Sequence, residues 1–188
     1  MKAFDIFLEG ESVNLVNLTQ AFIKKHTWYT WLNDQKLTKF TKQGYFPLSK
    51  KEHEKYVAEN IYTKKRLQLG IVKIDGNVVI GMISLYNINN IDQSCSVSAL
   101  MNMKSKDITS VKYLIEAQTL LINHAFNKLN LRRVEAAAND KKLCKFNEKL
   151  FGFVCEGILK ERDFIDGEFK DRYLLAILKK NWNTNNYN

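Results

Sequence analysis

Residues 139–182, NDKKLCKFNEKLFGFVCEGILKERDFIDGEFKDRYLLAILKKNW, form the stretch whose reading decides the fold. Residues 141–150 read as a helix. Two runs follow, 154–164 and 169–178, rich in the β-branched, aromatic and long apolar residues that suit strands. Asp166-Gly167 joins them, a dipeptide that favours a tight hairpin turn.

Working backwards, 133–138 reads as a short strand and 110–128 as the clearest helix. Val111, Leu114, Ile115, Leu121, Ile122, Ala125, Phe126 and Leu129 recur at helical spacing and mark one buried stripe. A strand at 95–103 precedes it. Earlier still, 67–74 and 78–86 form a hairpin about Asp75-Gly76-Asn77. Ser49-Lys50-Lys51-Glu52 is a capping box that opens a helix to about residue 61. Residues 20–32 read as one or two short helices rich in aromatics, and 13–18 as a first strand. Hairpins at both ends with one βαβ crossover between them imply an α/β (α+β) fold. Its sheet is mixed and mainly antiparallel, with one parallel pair, and helices flank it. No linker or repeat interrupts the chain, so 1–182 reads as a single domain and 183–188 as a polar tail.

At 188 residues, 45% apolar and 26% charged, the composition is that of an ordinary globular protein. No apolar run approaches the ~20 residues of a membrane span. Cys95, Cys144 and Cys155 are odd in number and lack metal-ligand spacing, which fits reduced thiols in a cytoplasmic protein. The formal charge of +9 is spread along the chain rather than gathered in one arm. It favours an anionic small molecule such as a polyphosphate, argues mildly against a polycation, and gives little support to nucleic-acid binding. Monomer and homodimer are both compatible with it.

Gly152-Phe153, Glu156-Gly157, Asp166-Gly167 and Asp171 with Tyr173 form one spaced pattern. It resembles the C-terminal half of the GCN5-related N-acetyltransferases (GNAT), closest to the branch of ribosomal-protein and nucleotide-amino-sugar acetyltransferases. The resemblance implies acetyl-CoA as cofactor and direct acetyl transfer to a primary amine. The acceptor it favours first is a nucleotide-linked amino sugar. A protein N-terminus is the nearest enzymatic alternative, and a non-catalytic acyl-CoA-binding or protein-interaction domain is the other class.

In a parallel crossover the helix N-terminus lies beside the carboxyl end of the first strand, where free amides and the helix dipole suit an anion. Relatives bind the pyrophosphate of coenzyme A there through Q/R-x-x-G-x-G/A. This chain has no glycine between Gly81 and Gly152. Lys104, Ser105, Lys106, Thr109, Ser110 and Val111 are the residues left to hold the phosphates. By the same resemblance, Met101, Asn102 and Met103 pair with the pantetheine arm, and Asn139 and Lys145 lie along it. Asn139 could equally cap the following helix.

Amine transfer needs a neutral amine, a polarised thioester carbonyl and a proton for the leaving thiolate. Relatives often carry a tyrosine shortly before the Gly-Phe pair, and none stands there. Cys144, Glu148 or water could replace it. His26, Asp34, Tyr86 and Asp92 are candidate bases. The aromatic segment 26–49 is the candidate acceptor region, with Trp31, Asn33, Tyr45, Phe46 and the more distant Tyr86 as contacts. Its WLND and QGYFPLS runs resemble amino-sugar acetyltransferases.

Overall fold

The computed structural model describes residues 4–26, 28–39, 41, 43–61, 63–102 and 108–182. Strands β1 (Ile6–Leu8) and β2 (Val13–Asn17) pair antiparallel. Two short helices, α1 (Gln20–Lys25) and α2 (Tyr29–Leu32), fill the span read as one or two, and a third, α3 (Gln35–Thr38), follows them. Thr19 caps α1 and Asp34 caps α3, each accepting backbone amides of the helix it starts. Helix α4 (Lys50–Asn60) opens on the expected capping box. The Ser49 amide donates to the Glu52 carboxylate at 2.8 Å, and the Glu52 amide donates to Ser49 Oγ at 3.3 Å.

Strands β3 (Leu67–Lys73) and β4 (Val78–Asn89) form the predicted hairpin, and β5 (Ser94–Met101) follows. Helix α5 (Ile108–Asn127) starts two residues before its predicted onset and leads to β6 (Arg133–Ala138) and α6 (Lys141–Phe151). Strands β7 (Val154–Ile165) and β8 (Glu168–Leu178) turn on Asp166 and Gly167, at φ +51° and +83°. Consecutive left-handed residues match the twist of a two-residue hairpin. A short 3₁₀ turn, Lys179–Asn181, ends the described chain.

The strands bond in the order β1-β2-β3-β4-β5-β6-β8-β7. Only β5 and β6 run parallel among the registered pairs, as the crossover required. Their register covers Ser94–Arg133, Cys95–Val134 and Ser96–Glu135 and then stops, although β5 continues to Met101.

The chain divides into two compact units. The first comprises Met1–Tyr86 with Ser98–Leu121. Val16, Leu18, Phe22, Ile23, Trp28, Val57, Ile61, Val72 and Met82 bury one continuous cluster there, which fixes α1 and α4 on the sheet. Helix α5 is tied in by Glu116, whose carboxylate accepts the amides of Glu11 and Ser12 at 2.5 and 3.0 Å.

The second unit comprises Asn87–Val97 with Ile122–Asn188. Ala125, Phe126, Leu131, Val134, Phe151, Phe153, Leu175 and Ile177 are buried in it. Lys179 Nζ donates to the Phe126 carbonyl at 2.7 Å near the end of α5, where a cation complements the helix dipole. Asp140 caps α6, accepting the Lys142 amide at 2.5 Å, and Gly152 closes it in the left-handed region at φ +72°. The cap is thus Asp140 and not Asn139, one residue along from the expected position.

Candidate active site

Met101 ends β5, and the Asn102 amide donates to the Ile80 carbonyl at 2.8 Å, holding the strand end against β4. A Cβ added to Gly81 would stand 2.8 Å from both the Leu100 carbonyl and Met101 Sδ, so this contact needs glycine. Sequence reading missed Gly81, because the signal is a close approach rather than a turn. Thr109 and Ser110 belong to the first turn of α5, and Val111 is exposed just after it. Met103, Lys104, Ser105 and Lys106 lie outside the described residues.

An open cavity of about 280 Å³ sits in the same unit, lined by His26, Trp28, Trp31, Asn77, Val78 and Val79. Its β4 wall is adjacent to Ile80, the residue that receives Asn102. His26 stacks on Phe4 with ring centroids 5.5 Å apart and tilts against Phe22 at 4.5 Å. Burial first, and the charge of Lys25 second, lower its pKa, so the imidazole is neutral at physiological pH. Trp28 is buried, and its indole N–H has no hydrogen-bond partner among the described residues. It packs edge-on against His53 at 4.1 Å, whose Nε2 is likewise unpartnered. Burial pushes His53 down to about 4. Nothing in its capping-box surroundings marked His53 as buried.

The other acceptor-side candidates divide. Trp31 lines the cavity. The Asn33 amide is engaged at both ends, donating to the Leu48 carbonyl and accepting the Leu48 amide, each at 2.8 Å. It therefore ties the 43–49 loop to the end of α2. Tyr45 and Phe46 on that loop are exposed. Asp34 accepts the Lys36 amide at 2.8 Å, and Asp92 accepts from Asn89 at 2.6 Å, so both carboxylates serve local turns. Tyr86 lies 5.8 Å from the guanidinium of Arg66, away from the cavity at the other end of the described β3–β4 pairing.

In the second unit, Asn139 follows β6, and Cys144 and Glu148 lie one turn apart on α6 with the exposed Lys145 between them. Cys144 is buried beside Cys155. Burial, then Cys155 and Glu148, push its thiol up to about 11, so it stays protonated at neutral pH. So weak an acid gives up its proton with difficulty. Arg133 donates to Glu135 at 2.7 Å and to Glu156 at 2.9 Å, which accounts for Glu156 within the spaced pattern.

Residues 15–142 match the family described as the acetyltransferase (GNAT) domain. That span is more than half of the chain, and the protein belongs to this acetyltransferase family. Two Bacillus subtilis (strain 168) proteins with N-acetyltransferase names are similar to it. YdaF is 28% identical over 110 residues, 57% of each chain. YjcK is 29% identical over 122 residues, 64% of this chain and 66% of its own. The matched part spans less than two thirds of the length of either. Among solved structures, a spermidine N-acetyltransferase from Vibrio cholerae in complex with CoA and spermine superposes with a TM-score of 0.79. It is 20% identical, and the match covers 92% of this chain and 98% of that one. A GNAT-family acetyltransferase from Bacillus anthracis gives 0.73 at 19% identity, over 93% and 99%. These likenesses establish the fold. Acetyl-CoA is the cosubstrate of the family.

Proposed function

We propose that this protein transfers the acetyl group of acetyl-CoA to the primary amine of an anionic acceptor, with a nucleotide-linked amino sugar as first choice. One observation carries the acceptor class. Residues 20–49, which supply His26, Trp28 and Trp31 to the cavity, hold five lysines against a single acid, Asp34. That acid is occupied as the cap of α3. A polyamine such as the spermine of the Vibrio cholerae complex would meet repulsion there, whereas phosphates would be drawn in. The aromatic lining suits a sugar or base face.

In the reaction the amine nitrogen attacks the thioester carbonyl carbon. The C–N bond forms, the C–S bond breaks, and coenzyme A leaves as a thiolate. The neutral His26 is the base we assign to the amine proton, since Asp34 and Asp92 are engaged elsewhere. In this scheme the released thiolate takes up its proton from the buffered solvent, and the Cys144 thiol stays protonated throughout. The unmatched edge of β5 beyond Ser96 offers amides and carbonyls to the pantetheine arm, as an added strand would use them.

The similarity to YdaF, whose name refers to ribosomal N-acetylation, supports a second reading in which the acceptor is a protein N-terminus. Thiol release from acetyl-CoA, measured against nucleotide-linked amino sugars, spermidine and N-terminal peptides, separates the readings. We expect turnover with the sugars. Turnover confined to peptides would install the second reading, and no heat of CoA binding in calorimetry would sink both.

A further inference from the structure

The face of β3 and β4 that α1 and α4 cover changes character along its length. Gly70 faces Phe22 so closely that an added Cβ would stand 3.0 Å from its ring, and Val72 and Met82 belong to the buried cluster beneath those helices. Strand alternation puts Gln68 on the same face as Gly70. The register pairs Gln68 with Ser84 and Leu67 with Leu85, so the residue preceding β3, Arg66, stands beside Tyr86. Ser84 Oγ lies 3.1 Å from Ser98 Oγ on β5. The apolar face thus gives way to a polar row. Within it, the buried Oε1 of Gln68 has no hydrogen-bond partner among the described residues.

Arg66 is the unusual member. Its guanidinium carbon lies 5.9 Å from the Tyr56 ring and 5.8 Å from the Tyr86 ring, and Nη1 donates to the Tyr56 hydroxyl. It is half-buried, and no carboxylate among the described residues forms an ion pair with it. Two rings and a hydroxyl hold the fork in place while leaving most of its five N–H donors unused. A partly desolvated, pre-oriented guanidinium with no counter-anion among the described residues matches a phosphate bidentately.

We propose that Arg66, held by Tyr56 and Tyr86, is an anion-binding subsite whose ligand is a nucleoside diphosphate group, with Gln68, Ser84 and Ser98 as the polar floor beside it. Tyr86 lies about 20 Å along β4 from Ile80, the residue that fixes the cofactor end of β5, at ~3.3 Å per residue. The subsite is therefore separate from that end of β5 and from the cavity lined by His26, Trp28 and Trp31, and its nucleoside diphosphate is a ligand apart from the amine held there.

Calorimetric titration of uridine diphosphate into the full-length protein, saturated with coenzyme A, tests it. Saturation keeps the probe out of the cofactor's own phosphate site. We expect wild-type binding, at least tenfold weakening in Arg66→Gln, and partial retention in Arg66→Lys, which keeps the charge but not the fork. CoA affinity should stay within twofold in both variants. Should Arg66→Gln fail to fold, Tyr86→Leu removes one ring and should weaken the probe about threefold. Absence of binding to the wild type, or unchanged binding in the folded variants, would overturn the subsite. An equal loss of CoA affinity would also overturn it, by reassigning Arg66 to the cofactor. If uridine diphosphate binds through Arg66 while no nucleotide-linked amino sugar is acetylated, the acceptor reading falls and the subsite stands.

Discussion

Residues 139–182 and residues 20–49 are both dense in conspicuous side chains, yet they use them differently. In the first stretch Asp140 caps α6, Gly152 closes it, Phe153 is buried, and Glu156 pairs with Arg133. Asp166-Gly167 makes the turn, and Asp171 accepts from Lys160 and the Glu161 amide at 2.8 and 3.1 Å. These residues hold backbone in place. In the second stretch caps and ties also occur, but His26, Trp28 and Trp31 open onto a cavity, and the Trp28 indole N–H has no partner among the described residues. A motif that stands out in sequence can therefore report the geometry of a fold rather than a binding surface.

Substitutions on the two sides should separate along that line. Phe153→Ala is expected to have the largest effect, costing about 3–5 kcal/mol of stability in denaturant unfolding, the usual range for a buried phenylalanine. Activity per folded molecule should change by less than twofold. A collapse of kcat in the folded fraction would erase the contrast.

Trp31→Ala should act the other way. We expect the acceptor KM to rise about fivefold, because a half-buried ring lining the cavity is lost, with a stability change of about 1 kcal/mol or less. An unchanged KM would remove the cavity from acceptor binding.

A smaller effect distinguishes the helical layer by pH. Burial holds the folded pKa of His53 at about 4 against an ordinary value of 6.5, and lowers His26 and His124 as well. As pH falls from about 6.5 towards 4, the unfolded chain takes up protons before the folded one, so stability declines in that window. His53→Phe should flatten part of that decline in thermal melts at pH 7 and pH 4.5. An identical slope in the variant would mean that His53 is solvated when folded.

Much of the fold was legible because its elements carry local signals. The stripe on α5, the capping box of α4 and the Asp-Gly turn of β7–β8 each specify backbone by short-range chemistry. The exceptions also have local causes. Strand β1 has only three residues and α3 only four, each too short to show a period. The site was less legible, since its members meet only through pairing of distant segments. Asn33 looked like a substrate contact and is consumed by Leu48. Arg66 and Gly81 carry no motif, and their settings arise from the β3–β4 register and the approach of β5. The family match ends at residue 142, near where the most recognisable stretch begins.

We propose that the basic, aromatic segment 20–49 makes this acetyltransferase select an anionic amine. This selection is tested most directly by kcat/KM for a nucleotide-linked amino sugar and for spermidine, measured side by side with saturating acetyl-CoA as salt is raised. We expect at least a tenfold preference for the sugar, shrinking as ionic strength screens the lysines. A preference for spermidine at low salt would contradict it.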